Sequence, residues 1–263
     1  MGLPWKEKNN RQMDDIKFEK AKQKVINSID LSSSIGRLQE KSVHSVLKYF
    51  FEPDDNNHEV KAGTHIADIL LGNVIYEIQT RQFNKLTSKL SEFTAIGYKV
   101  VVVYPVIVKK QIVWLDKDSY EIIGDVKTSP KKGSELDIFS ELYKIKPFIN
   151  HTDVSFKIVR LTASEYRLLD GYGNDNKKGA TKFDIIPDEL LEVIEINHKS
   201  DLLKLLPSPL PDEFSSLELS QLIHKKDKKL SNYILNVLHS SDIITFSEKK
   251  GRLHYYKLKQ HNP

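Results

Sequence analysis

Apolar residues recur at helical spacing between Gly36 and Phe51, where Val43, Val46, Leu47 and Phe50 fall on one face. The stretch "EPDDNN" then breaks that helix. Strand patterns follow at 58–62, 65–71 and 74–79. A second helix fits 84–96, with Leu86, Leu90 and Phe93 on one face. "YKVVVVYPV" is a continuous run of β-branched residues and suits a strand covered on both faces. A further helix fits residues 16–29.

The middle of the chain is less regular. "QIVWLD" and "SYEIIG" read as a hairpin. "VKTSPKKGSELDIFSELYKIKPFI" reads as a basic, solvated loop followed by a helix, "SFKIVRLTASEYRL" begins as a strand, and "FDIIPDELLEVIEI" resumes ordered structure after a glycine- and asparagine-rich loop. Pro207, Pro209 and Pro211 then predict a semi-rigid extended spacer. Beyond it come two short helices, "SSLELSQLIHK" and "KLSNYILNVLHSSD", and a hairpin turning near Lys250-Gly251. These patterns divide the chain into a helical extension at 1–34, a domain at 35–205 and a small module at 206–263.

The stretch "THIADILLGNVIYEIQT" carries two acids where core residues are expected, Asp68 and Glu77. Gly72-Asn73 makes a suitable two-residue turn. With Leu71 and Val74 flanking it, Asp68 stands directly opposite Glu77, with Cβ atoms roughly 4.5–5.5 Å apart. Like charges so placed destabilise a sheet. A hard divalent cation between them would offset that cost, and Mg2+ is held by one or two carboxylates while keeping waters for a phosphate substrate. Alternation puts Gln79 on the same face as Glu77, and His65 on the face opposite Asp68, where packing is its expected role. Glu40 precedes Val43 and Leu47 at i, i+3 and i+7, so it points inward from the first helix.

These residues carry a resemblance. The stretch from Gly36 to Pro105 resembles the core of the PD-(D/E)xK nuclease superfamily in "LQEKSVHSVLKYF" (Glu40), "IADILL" (Asp68) and "YEIQT" (Glu77, Gln79). That resemblance implies a restriction-endonuclease-like α/β fold, a mixed-sheet core in the order αβββαβ. It also implies Mg2+- or Mn2+-dependent hydrolysis of phosphodiesters, with Glu40, Asp68, Glu77 and Gln79 as catalytic residues and Asp68 and Glu77 on the metal. The chain departs from the family at Gln79, where lysine is usual. Glutamine can orient a water but supplies no charge. Arg81, Lys85 and Lys89 are near enough in sequence to supply it.

Residues 212–259 resemble a winged-helix domain. Leu230, Tyr233 and Val237 are expected inward on its second helix, with Asn232, Asn236 and His239 outward. Asparagine suits adenine edges, and Lys228, Lys229, Lys249, Lys250 and Arg252 suit phosphates. From Pro211 onward nine Lys and Arg face six acids, so the module is locally basic.

Composition fits these expectations. The net charge of +4 permits nucleic-acid binding. The absence of cysteine excludes disulfides and thiolate metal sites. No secretory or membrane-spanning run is present, which predicts a soluble, cytoplasmic protein. The combined expectation is a metal-dependent endonuclease of double-stranded DNA, restriction-type or mobile-element-associated, with a homodimer suited to double-strand cleavage. Two alternatives stand beside it: a non-catalytic DNA-binding or regulatory protein on a decayed nuclease core, and an RNA-directed nuclease.

Overall fold

In the computed structural model, residues 4–28, 42–171, 179–223 and 228–259 are described. Helix α1 (Pro4–Ser28) buries Phe18, Ala21 and Val25, spaced i, i+3 and i+7. Helix α2 (Ser42–Phe51) buries the expected stripe of Val43, Val46, Leu47 and Phe50. Strands β1 (His58–Ala62), β2 (His65–Leu71) and β3 (Val74–Ile78) form an antiparallel meander. A 3-10 turn over Phe83–Leu86 leads into α3 (Thr87–Ala95) and then β4 (Lys99–Asp116). After β5 (Lys127–Thr128), α4 (Ile138–Leu142) and α5 (Lys146–Ile149), two long strands follow, β6 (Val154–Leu169) and β7 (Thr181–Ile196).

The sheet runs β1-β2-β3-β4-β6-β7, with β5 also paired to β4. It is mixed, because β3–β4 and β4–β6 are parallel while the other pairs are antiparallel. β4 explains why its sequence is apolar without alternation. Val101 and Val103 pack with α1 and α2, and Val100, Val102, Tyr104 and Val106 pack with α3 and α4 on the other face. The α/β class follows directly. An N–H in the first turn of α2, which has no acceptor one turn back, is satisfied from far away: the backbone N–H and hydroxyl of Ser42 both donate to the buried carboxylate of Asp184 on β7.

Three expectations change. "QIVWLD" is the far half of β4 and not a separate strand. It follows the apolar run without a break, because Pro105 still pairs with Val159 of β6. "SYEIIG" folds back on it as a hairpin arm, with an antiparallel Leu115–Ile122 bridge, Asp116 N–H to Glu121 O (2.9 Å) and Ile123 N–H to Trp114 O (2.9 Å). The basic loop at 127–133 is fastened to β4 by the β5 ladder, by Ser129 N–H to Lys110 O (2.8 Å) and by Gly133 N–H to Ile107 O (2.9 Å). Gly133 is required there, since a Cβ would sit 2.7 Å from the Ile107 carbonyl oxygen. The proline-rich spacer is a packed connection, in which Leu202, Leu205 and Leu206 are buried.

The C-terminal module contains β8 (Glu213–Ser215), α6 (Ser216–Leu222), α7 (Lys228–Ser240), β9 (Ile244–Lys250) and β10 (Leu253–Leu258), with the three strands in the order β8-β10-β9. Ser215 and Glu218 form a reciprocal capping box on α6. The module is not separately cored. Leu219, Ile234 and Leu238 belong to the same buried cluster as Phe139 and Leu142 of α4. Among the described residues, no helix is long and apolar enough to cross a membrane.

A shared core predicts shared unfolding. Leu238→Ala should cost about 2–5 kcal/mol and shift one cooperative denaturant transition followed both by far-UV circular dichroism and by Trp114 fluorescence. Two separated transitions would contradict it.

Candidate active site

The β2–β3 hairpin has the register expected of a Gly72-Asn73 turn, pairing Leu71 with Val74, Leu70 with Ile75 and Ile69 with Tyr76. One residue further, Asp68 stands opposite Glu77, and the two strands exchange side-chain bonds. Ile78 N–H donates to Asp68 Oδ2 at 2.7 Å, and Asp68 N–H reaches Glu77 Oε1 at 3.4 Å. The Asp68 carboxylate thus takes the place of a backbone carbonyl where the ladder ends.

Glu77 is only 2% exposed. Lys89, one of the three cations noted in the sequence, reaches it from α3, with Nζ 2.8 and 3.1 Å from the two carboxylate oxygens. The same ammonium donates to Ile66 O at 2.7 Å, so it straddles the end of both strands. Burial, reinforced by the charge of Asp68, pushes the Glu77 carboxyl up to about 7 despite Lys89. At Asp68 burial also pushes upward. There it is outweighed by the hydrogen bond and charge of His44, the Ile78 amide and Lys89, which hold the carboxyl below its usual range. His44 Nε2 lies 3.1 Å from Asp68 Oδ2.

His44 was not anticipated. It lies on α2, and no histidine pair or spacing marks it in the sequence. Glu40 itself lies outside the described residues. Gln79 follows the end of β3, its backbone N–H bonded to Val103 O at 2.9 Å and its side-chain amide donating to Arg81 O. His65 is a packing residue, against Phe93 and 3.5 Å from Glu92. Among the described residues, no group of three or more His, Cys, Asp or Glu is placed to hold a metal ion. Asp68 and Glu77 put two carboxylates on one face, the oxygen donors that a hard divalent cation takes, and in this structure Lys89 and His44 hold them.

The second candidate surface is on the C-terminal module. Asn232, Asn236, His239, Arg252 and His254 line an open polar groove of about 300 Å³ between α7 and the β9–β10 hairpin. Asn232, Asn236 and His239 are exposed and Leu230 and Val237 buried, as expected. Tyr233 is half-buried against Tyr143, with ring centroids 5.0 Å apart, and Asn236 Oδ1 accepts from Lys146 Nζ at 2.7 Å. Lys229 is exposed in the first turn of α7, while the side chain of Lys228 lies outside the described residues. Lys249 and Lys250 close β9 outside the groove lining. Lys250 is held by Glu248 at 2.7 Å and faces Glu213 at 3.8 Å.

A family model described as "Domain of unknown function (DUF8091)" matches residues 41–197, which hold the hairpin, α3 and the long strands. An uncharacterized protein of Treponema pallidum (strain Nichols) is 28% identical over 234 residues, covering 85% of this chain and 87% of its own length. No solved structure matches.

The raised carboxyl gives a pH signature. The folded chain binds the Glu77 proton more tightly than the unfolded chain, so this group's contribution to stability falls as pH rises from about 4.5 to about 7 and is level above that. Glu77→Gln should flatten that slope, gaining up to about 3 kcal/mol on wild type across the window. Thermal melts in chelator at graded pH measure it, and parallel curves for the two proteins would exclude it.

Proposed function

This chain belongs to the DUF8091 family of domains of unknown function, and we propose that it is a metal-dependent nuclease that hydrolyses phosphodiester bonds in DNA. The observation that carries the reading is the facing pair Asp68 and Glu77 at the end of the β2–β3 ladder, with Lys89 laid across it. The order α2-β1-β2-β3-α3-β4 supports the PD-(D/E)xK resemblance.

Asp68 and Glu77 would hold a divalent cation of the Mg2+ class, which supplies water activation and charge stabilisation when bound. The remaining roles belong to the chain itself. Lys89 places a fixed positive charge beside Glu77, from a helix where it need not be carried by the residue at position 79. His44 orients the Asp68 carboxylate. Gln79 has its amide N–H on Arg81 O, which leaves its carbonyl oxygen to accept a hydrogen bond from a water. The phosphate would meet Lys89 as charge develops on its oxygens.

The β8-α6-α7-β9-β10 order with β10 central supports a winged-helix reading of the C-terminal module. In that reading Asn232 and Asn236 face base edges, while Lys228, Lys229, Lys249, Lys250 and Arg252 face phosphates. A second reading, a non-catalytic DNA-binding protein on the same scaffold, is favoured by one observation: position 79 is an amide turned onto its own backbone.

Plasmid cleavage with Mg2+ or Mn2+ tests the first reading. Asp68→Ala should abolish it, and Lys89→Gln should lower the rate about 100- to 1000-fold. Cleavage by Asp68→Ala equal to wild type sinks the proposal. Calorimetric Mg2+ binding that is absent in both wild type and Asp68→Ala favours the second reading. For the module, Arg252→Ala should reduce the salt slope of duplex binding by about one without changing sequence preference, whereas Asn232→Ala should relax preference by about 1–3 kcal/mol at one base pair. Filter binding at several salt concentrations measures both.

A further inference from the structure

Where β3 ends, its row in the sheet does not. Gln79 N–H bonds Val103 O on the edge of β4 that β6 does not occupy. Further along that edge Gly133 N–H bonds Ile107 O and Ser129 N–H bonds Lys110 O, and Lys127 pairs with Ile112. Residues 127–133 therefore take up the strand position that β3 vacates at the carboxylate pair, running in the opposite direction. At about 3.3 Å per residue, this segment lies roughly 13 to 30 Å beyond the end of β3.

The segment's side chains are cationic. Lys127, Lys131 and Lys132 are exposed on a backbone pinned by the sheet, and Lys109 of β4 is exposed nearby. Behind them Glu165 is fully buried and bonded to Lys110 and to Arg167 (2.7 Å), with Lys182 at 3.5 Å. One carboxylate thus meets three cations, and Arg167 also lies over the Trp114 ring. Lys127, Lys131, Lys132 and Lys109 outnumber the exposed Asp125 beside them, and the segment's outer edge pairs with no further strand among the described residues.

We propose that the 127–133 edge is a binding surface for the sugar–phosphate backbone of a nucleic-acid duplex. Lysines on a backbone pinned to the sheet at both ends neutralise phosphates with no base reading, which positions a duplex and carries no sequence preference. The placement in line with β3 directs that duplex over the carboxylate pair. This last link rests on the nuclease reading, and the surface itself does not.

The test uses the full chain in chelator and a labelled DNA duplex, with an RNA duplex as a parallel arm. Lys127→Gln, Lys131→Gln and Lys132→Gln combined should reduce the slope of log affinity against log salt by about 2 to 3. The same three positions changed to arginine should keep the wild-type slope. The arm in which the glutamine variant loses binding identifies the duplex. An unchanged slope in the glutamine variant overturns the proposal, as does equal loss in the arginine variant, or a wild type that binds neither duplex. A chain that binds through these lysines yet cleaves nothing with Mg2+ refutes the nuclease reading alone. A glutamine variant that loses binding yet cleaves as fast as wild type refutes only the alignment of the bound duplex with the carboxylate pair.

Discussion

The amide of Ile78 ends a ladder. Its N–H points toward β2, where the next backbone acceptor would stand, and it finds the carboxylate of Asp68. A buried amide must be satisfied, and an ionised acceptor does so strongly. This fixes Asp68 in a low-dielectric position directly opposite Glu77, and the rest of the site follows from that constraint. Two like charges there need relief, which Lys89 supplies to Glu77 from α3 and His44 to Asp68 from α2. The two helices that flank the sheet are thus each tied to one carboxylate, so their packing and the site geometry are one problem.

The long strands carry this arrangement outward. β4, β6 and β7 continue past the end of β3, and the edge left open is filled by the 127–133 segment. On the α3 side the sheet's apolar face continues into α4 and then into the C-terminal module. Lys146 and Tyr143 contact Asn236 and Tyr233 at the border. The groove beside α7 is therefore held in a definite relation to the sheet by buried leucines and isoleucines, with no need for a stiff linker.

The sequence was most readable where local rules act alone. The turn at Gly72-Asn73 determined a register, and the register determined the carboxylate pair. The stripe of Val43, Val46, Leu47 and Phe50 located α2. The reading failed where long-range pairing decides. "YKVVVVYPV" and "QIVWLD" read as two strands, yet β4 runs through both because β6 pairs along nearly its whole length. "SPKKG" has loop composition and remains a loop, and only the free edge of β4 fastens it, through Ser129 and Gly133. His44 shows no spacing signal, since its partner comes from another element. The prolines at 207–211 suggested a spacer, and Pro209 and Pro211 are exposed, but the buried leucines before them anchor it to the core. In each case the missing information was a contact with a distant part of the chain.

One such contact orders events in time. The first turn of α2 is capped by Asp184, a residue 142 positions downstream. During synthesis at about 5–20 residues per second, Ser42 is made roughly 7–28 s before its partner. Throughout that interval α2 lacks the Asp184 carboxylate, and the apolar stripe above it has only part of its sheet. The chain's early half is thus obliged to wait for its late half. A nascent polypeptide paused before β7 would offer its α2 stripe to whatever else in the cell binds hydrophobic helices.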